Sequence, residues 1–100
     1  MTKETILIVD DSIEMLEVLR RHLHSMNFAT FQCTNVNDAI EILSQTTIDL
    51  LITDLQMPGI NGMELVKYTS EHFPSIPKLV ITGHPSVSNA VEAVLPGRLS

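Results

Sequence analysis

Four short apolar runs alternate along the chain with longer stretches whose apolar positions recur every three or four residues. The first run, TILIVD (5–10), is rich in β-branched residues and closes on acids, the mark of a strand buried on both faces. After it, Ile13, Leu16, Leu19, Leu23 and Met26 recur at helical spacing, with Ser12 as N-cap and Glu14 near the positive end of the helix. FATFQC (28–33) alternates more weakly and predicts an edge strand. Asn35 or Asn37 then opens a helix carrying Val36, Ala39, Ile40 and Leu43 on one face. IDLLIT (48–53) predicts a third buried strand. Beyond the loop from Asp54 to Asn61, GMELVKYTSEHF predicts a helix stopped by Pro74. KLVIT (78–82) predicts a fourth strand. Ser86 caps a last helix with Val87, Ala90, Val91, Val94 and Leu95 on its face, ended by Pro96 and Gly97.

Strands that alternate with helices at this spacing imply right-handed crossovers and a doubly wound parallel α/β sheet, with ligands expected at the carboxyl ends of the strands. The 100 residues have room for one domain spanning 1–100. With 44% hydrophobic and 18% charged residues, that domain can bury a core. A formal net charge of −6 argues against direct binding to nucleic acid phosphates or to an anionic membrane, and favours cations and basic partner surfaces. The lone Cys33 cannot close an internal disulfide and is expected to be a small core residue, so a reducing, cytoplasmic location is expected. The apolar run Ile6 to Val9 is too short for a signal-peptide core or a membrane span.

The candidate chemistry sits at the strand ends. Asp10 and Asp11 follow the first strand, Asp54 the third, and Thr82 ends the fourth. In a parallel sheet these side chains converge on one crevice. Carboxylates held close repel one another, and an all-oxygen set of this kind suits magnesium, which binds through few carboxylates together with a phosphate. Pro58 fixes one φ angle, while Gly59 and Gly62 tolerate conformations denied to other residues, so the loop can fold beside Asp54. Taken singly, Asp10 and Asp11 could equally be helix caps and Asp54 a turn starter. His22, His24, His72 and His84 show no ligand spacing and are expected to pack or face solvent. Met57 and Met63 are expected to pack.

In this order and spacing, ILIVDDS, ITDLQMPGINGMEL and LVITGHPSV resemble the three diagnostic segments of the receiver domain of bacterial two-component response regulators. The resemblance runs from the first strand to the last helix. It implies a flavodoxin-like doubly wound sheet with strand order 2-1-3-4, followed in the family by a fifth strand. It also implies that Asp54 is the phosphoacceptor, attacking a phosphohistidine on a histidine kinase or a histidine phosphotransfer protein. Asp11, Asp54 and the backbone carbonyl of Gln56 would ligate magnesium, with manganese as the alternative ion, and Asp10 would act through bound water. Thr82 would contribute the switch hydroxyl and Gly83 a backbone N–H to the phosphoryl oxygens. Such a module catalyses only its own phosphorylation and dephosphorylation.

The sequence departs from the family in one respect. The fifth strand and helix are expected to be missing, and with them the lysine that meets the phosphate; Lys3, Lys67 and Lys78 stand in the wrong places to replace it. The fourth strand then becomes an apolar edge, through which two chains are expected to pair as a homodimer. A pseudo-receiver that binds or dimerises without phosphorylation is the alternative. A phosphatase of the haloacid dehalogenase type, which needs Asp-x-Asp after the first strand, is set aside because Asp10 and Asp11 are adjacent.

Overall fold

The computed structural model describes residues 3–54 and 62–81. In order, these form β1 (Thr5–Val9), α1 (Ile13–Ser25), β2 (Ala29–Cys33), α2 (Val36–Gln45), β3 (Leu50–Asp54), α3 (Gly62–His72) and β4 (Lys78–Ile81). The strands form one parallel sheet in the order β2-β1-β3-β4, as expected. The helix expected after Ser86 lies outside the described residues.

Alternation along the central strands sorts their side chains onto two faces. On one face Ile6, Ile8, Leu50 and Ile52 pack with Leu16, Leu19 and Leu23 of α1 and with Phe28. On the other, Leu7, Val9 and Leu51 pack with Val36, Ala39 and Leu43 of α2 and Leu65 of α3. Burial on both faces explains why β1 and β3 read as continuous apolar runs, whereas β2, at the edge, leaves Phe31 and Gln32 exposed. Cys33 lies buried among the α2-side residues, as expected, and burial pushes its thiol up to about 11.

The helix caps follow from local chemistry. Ser12 Oγ accepts the Met15 N–H at 3.2 Å and Asn35 Oδ1 accepts that of Asp38 at 2.8 Å, so Asn35 and not Asn37 opens α2. α1 ends in a paired C-terminal motif in which Asn27 N–H donates to His24 O and Phe28 N–H to Leu23 O, both at 3.0 Å. Asn27 adopts φ 68°, the left-handed conformation this motif requires.

Three expectations need correction. Ile13 is 74% exposed, because the first residue of α1 stands at the carboxyl end of β1, beyond the strands that bury Leu16, Leu19 and Leu23. Met63 is 54% exposed, because α3 turns Gly62, Leu65 and Thr69 inward and leaves Met63 off that face. The third strand begins at Leu50, two residues later than expected, and includes Asp54 itself, whose Cα partner is Ile81 of β4. The acid is thus held by the sheet.

The amino-terminal edge of the sheet is also tied together. Thr5 N–H donates to Oδ2 of Asp49, and the N–H of Asp49 donates to Thr5 O, each at 2.8 Å. This reciprocal pair anchors the start of β3 beside β1. It sets the register Ile6 to Leu50 through Val9 to Thr53, which brings Asp10 level with Asp54.

Candidate functional site

The site is built at the carboxyl edge of the two central strands. Asp10 is the residue after β1 and Asp11 the next, while Asp54 ends the adjoining β3. One carboxylate oxygen from each of the three lies within 4.8 Å of the others. The three differ in exposure, with Asp10 only 7% exposed, Asp54 half-buried and Asp11 exposed. The three acids therefore grade from a buried carboxylate at Asp10 to an exposed one at Asp11.

Asp10 is held from two directions. Its N–H donates to Cys33 O at 3.2 Å, extending the β1–β2 pairing by one residue, and its Oδ1 accepts the Ser12 N–H at 2.8 Å. Burial raises the affinity of its carboxyl group for a proton above the ordinary value of 3.8; the Ser12 N–H opposes that rise, and the charges of Asp54 and Asp11 reinforce it. Crowded carboxylate oxygens of this kind fit a hard divalent cation. They are donors of the class magnesium prefers, and a cation relieves the repulsion that raises Asp10.

Of the residues expected at the site, Asp10, Asp11 and Asp54 come together. Gly62 is buried as the first residue of α3. Gln56, Met57, Pro58, Gly59, Thr82, Gly83 and His84 lie outside the described residues. The other histidines keep the expected plain roles. His24 Nε2 lies 3.3 Å from Thr30 Oγ1, the His72 ring stacks 4.3 Å from that of Tyr68, and His22 is exposed. The contact overlooked in the sequence is the Ser12 N–H on Asp10. Its signal was present, since an Asp side chain commonly accepts from the N–H two residues on. Among the described residues no helix is long and apolar enough to cross a membrane.

A doubly wound parallel sheet with a cluster of carboxylates at its carboxyl edge defines an α/β domain whose acidic group lies where such folds place their sites. The model of the response regulator receiver domain matches residues 6–98, and the chain belongs to that family of signalling modules. It is 34% identical to the response regulator protein PilR of Pseudomonas aeruginosa over 97% of its own length and 22% of that protein's. It is 30% identical to the DNA-binding transcriptional regulator NtrC of Salmonella typhimurium over 97% and 21% of the two lengths. The chain thus spans about a fifth of the length of these curated relatives. Among solved structures it is similar to a response regulator receiver protein from Pseudomonas putida, with a TM-score of 0.78 at 25% identity over 97% of this chain and 82% of that one. It is also similar to the chemotaxis response regulator CheY4 of Vibrio cholerae, with a TM-score of 0.79 at 24% identity over 96% and 82%. The fold is flavodoxin-like, as the sequence resemblance implied.

Proposed function

We propose that this chain is a phosphoacceptor module in which Asp54 takes a phosphoryl group from a phosphohistidine of a histidine kinase or a histidine phosphotransfer protein. The observation that carries the reading is the meeting of Asp10, Asp11 and Asp54 within 4.8 Å at the carboxyl edge of β1 and β3. Asp54 is the one acid fixed at the end of a central strand and half-open to solvent, the placement a nucleophile needs. An oxygen of its carboxylate forms a bond to phosphorus as the phosphorus–nitrogen bond breaks, and the electron pair of that bond returns to the imidazole of the donor.

Asp11 and Asp54 would hold a magnesium ion directly, and Asp10 would act through a water on it. The ion supplies positive charge that offsets the anionic phosphoryl oxygens. Asp10 fits the indirect role because it lies deepest and already has one oxygen on the Ser12 N–H. The backbone carbonyl of Gln56, the hydroxyl of Thr82 and the N–H of Gly83 complete the proposed set from their places in the sequence. PilR and NtrC carry names of regulators, and a role in controlling transcription through further domains is the corresponding proposal here.

Incubation with acetyl phosphate and magnesium is expected to add one phosphoryl group to the intact chain by mass spectrometry. The adduct disappears in Asp54→Ala and on chelation of the metal. Undiminished labelling of Asp54→Ala would sink the assignment. A second reading rests on β4, an edge strand among the described residues with Leu79 and Val80 only half-buried. On that reading two copies pair edge to edge, with or without phosphorylation.

A further inference from the structure

Ser12 stands between the acidic pocket and α1 and makes contacts in both directions. Its backbone N–H donates to Oδ1 of Asp10 at 2.8 Å. Its hydroxyl oxygen accepts the N–H of Met15 at 3.2 Å, and its carbonyl accepts that of Leu16 at 3.0 Å. With φ −92° and ψ 113°, the residue has the extended backbone of an N-cap. The residue whose N–H grips Asp10 is therefore the same residue whose hydroxyl and carbonyl are fixed by the start of the helix.

We infer that Ser12 is a positioning residue for the acidic pocket: by capping α1 through its hydroxyl, it keeps its own backbone N–H on Asp10 and so holds the Asp10 carboxylate toward Asp11 and Asp54. The inference rests on the cation reading given above. Left to itself, a carboxylate beside two others turns away from them, because like charges at this separation repel. The Ser12 N–H on Oδ1 opposes that rotation, while the bond from the Asp10 N–H to Cys33 O fixes the backbone from which the side chain springs. Partners that orient a ligand set in this way tune its affinity for the metal without touching it. Removing the hydroxyl leaves the N–H in place chemically but takes away the bond that fixes its direction.

The test is a titration of the full chain with magnesium chloride, followed by amide chemical shifts and by calorimetry. Ser12→Ala is compared with Ser12→Thr, which keeps a capping hydroxyl, and with Asn35→Ala, which removes the equivalent cap from α2 and loses stability by the same mechanism. Ser12→Ala is expected to bind magnesium about tenfold more weakly, the lower end of what loss of an outer partner costs. Ser12→Thr and Asn35→Ala keep the unsubstituted affinity. The amide proton at position 12 should also lose its downfield, hydrogen-bonded shift in Ser12→Ala alone. Equal affinity for Ser12→Ala and the unsubstituted chain overturns the inference, as does equal weakening in Asn35→Ala, which would make the effect one of general stability. Failure of the unsubstituted chain to bind magnesium at all is a separate result, which removes the cation reading and this inference with it.

Discussion

Asp10 is a carboxyl group placed where water reaches it poorly and where two further acids face it, Asp11 beside it and Asp54 across the strand pair. Because its proton affinity is raised in the fold, the protonated form is the one that folding favours. Its contribution to stability is therefore complete below 3.8 and is lost as pH rises through the higher value of the folded state. In chelator-treated protein the melting temperature should show this decline, and Asp10→Asn should flatten it and melt higher at neutral pH. Magnesium should restore stability to the unsubstituted chain at neutral pH and do so much less in Asp10→Asn; equal protection of both would show that Asp10 is no part of the site. The convergence of the three acids was legible in the sequence, because parallel strands deliver their terminal residues to one edge. The burial of Asp10 and its contact with Ser12 are not legible in the sequence, which offers Asp10 as a metal-site acid or a helix cap and Ser12 as an N-cap without linking the two. Both residues do belong to local motifs, but an Asx contact and an N-cap share the same short sequence and only geometry assigns the atoms.

At the scale of elements, helical and strand periods identified every strand and helix among the described residues, with boundaries shifted by one or two positions. Periodicity failed where a helix outruns the sheet beneath it. Ile13 carries the right spacing from Leu16, but spacing says nothing of where the neighbouring strands stop. Asn27 was likewise unread, since an asparagine after a helix could belong to a turn of several types. Its left-handed backbone now makes a definite prediction. Asn27→Ala should lower stability by about 1 kcal/mol, the steric penalty of a Cβ without a compensating polar side chain, a shift on the order of 4–8 °C in melting temperature for a domain of this size. Asn27→Gly should match or exceed the unsubstituted chain, and an Ala variant no less stable than the Gly variant would contradict the role given to φ.

For the molecule as a whole, the sheet order was predictable only through the family resemblance. Buried strands in β1 and β3 show which strands are central, but they do not say which neighbour each takes. The weak alternation of FATFQC did place β2 at an edge. At the other end of the described sheet, β4 combines half-buried Leu79 and Val80 with Lys78, a charge of the type that discourages edge pairing. Sedimentation of the full chain at tens of micromolar, the range where edge association of modest affinity is populated, separates the outcomes. Edge pairing predicts a dimer that Val80→Lys converts to monomer, whereas a monomer throughout would remove that reading and leave the phosphoacceptor reading untouched.

The reciprocal bonds between Thr5 and Asp49 have a consequence for the path by which the chain folds. They lock β1 to β3 at the end of the sheet opposite the acids, and the register they set drives Asp54 against Asp10 and Asp11. In the unfolded chain Asp54 is far from Asp10 and Asp11, so its repulsion with them arises only as the two central strands align. Alignment is thus an uphill electrostatic step that dissolved ions ease. Refolding should accelerate severalfold between about 0.01 M and 0.15 M ionic strength, where the Debye length falls from about 30 Å to about 8 Å. In Asp54→Asn most of that salt sensitivity should vanish.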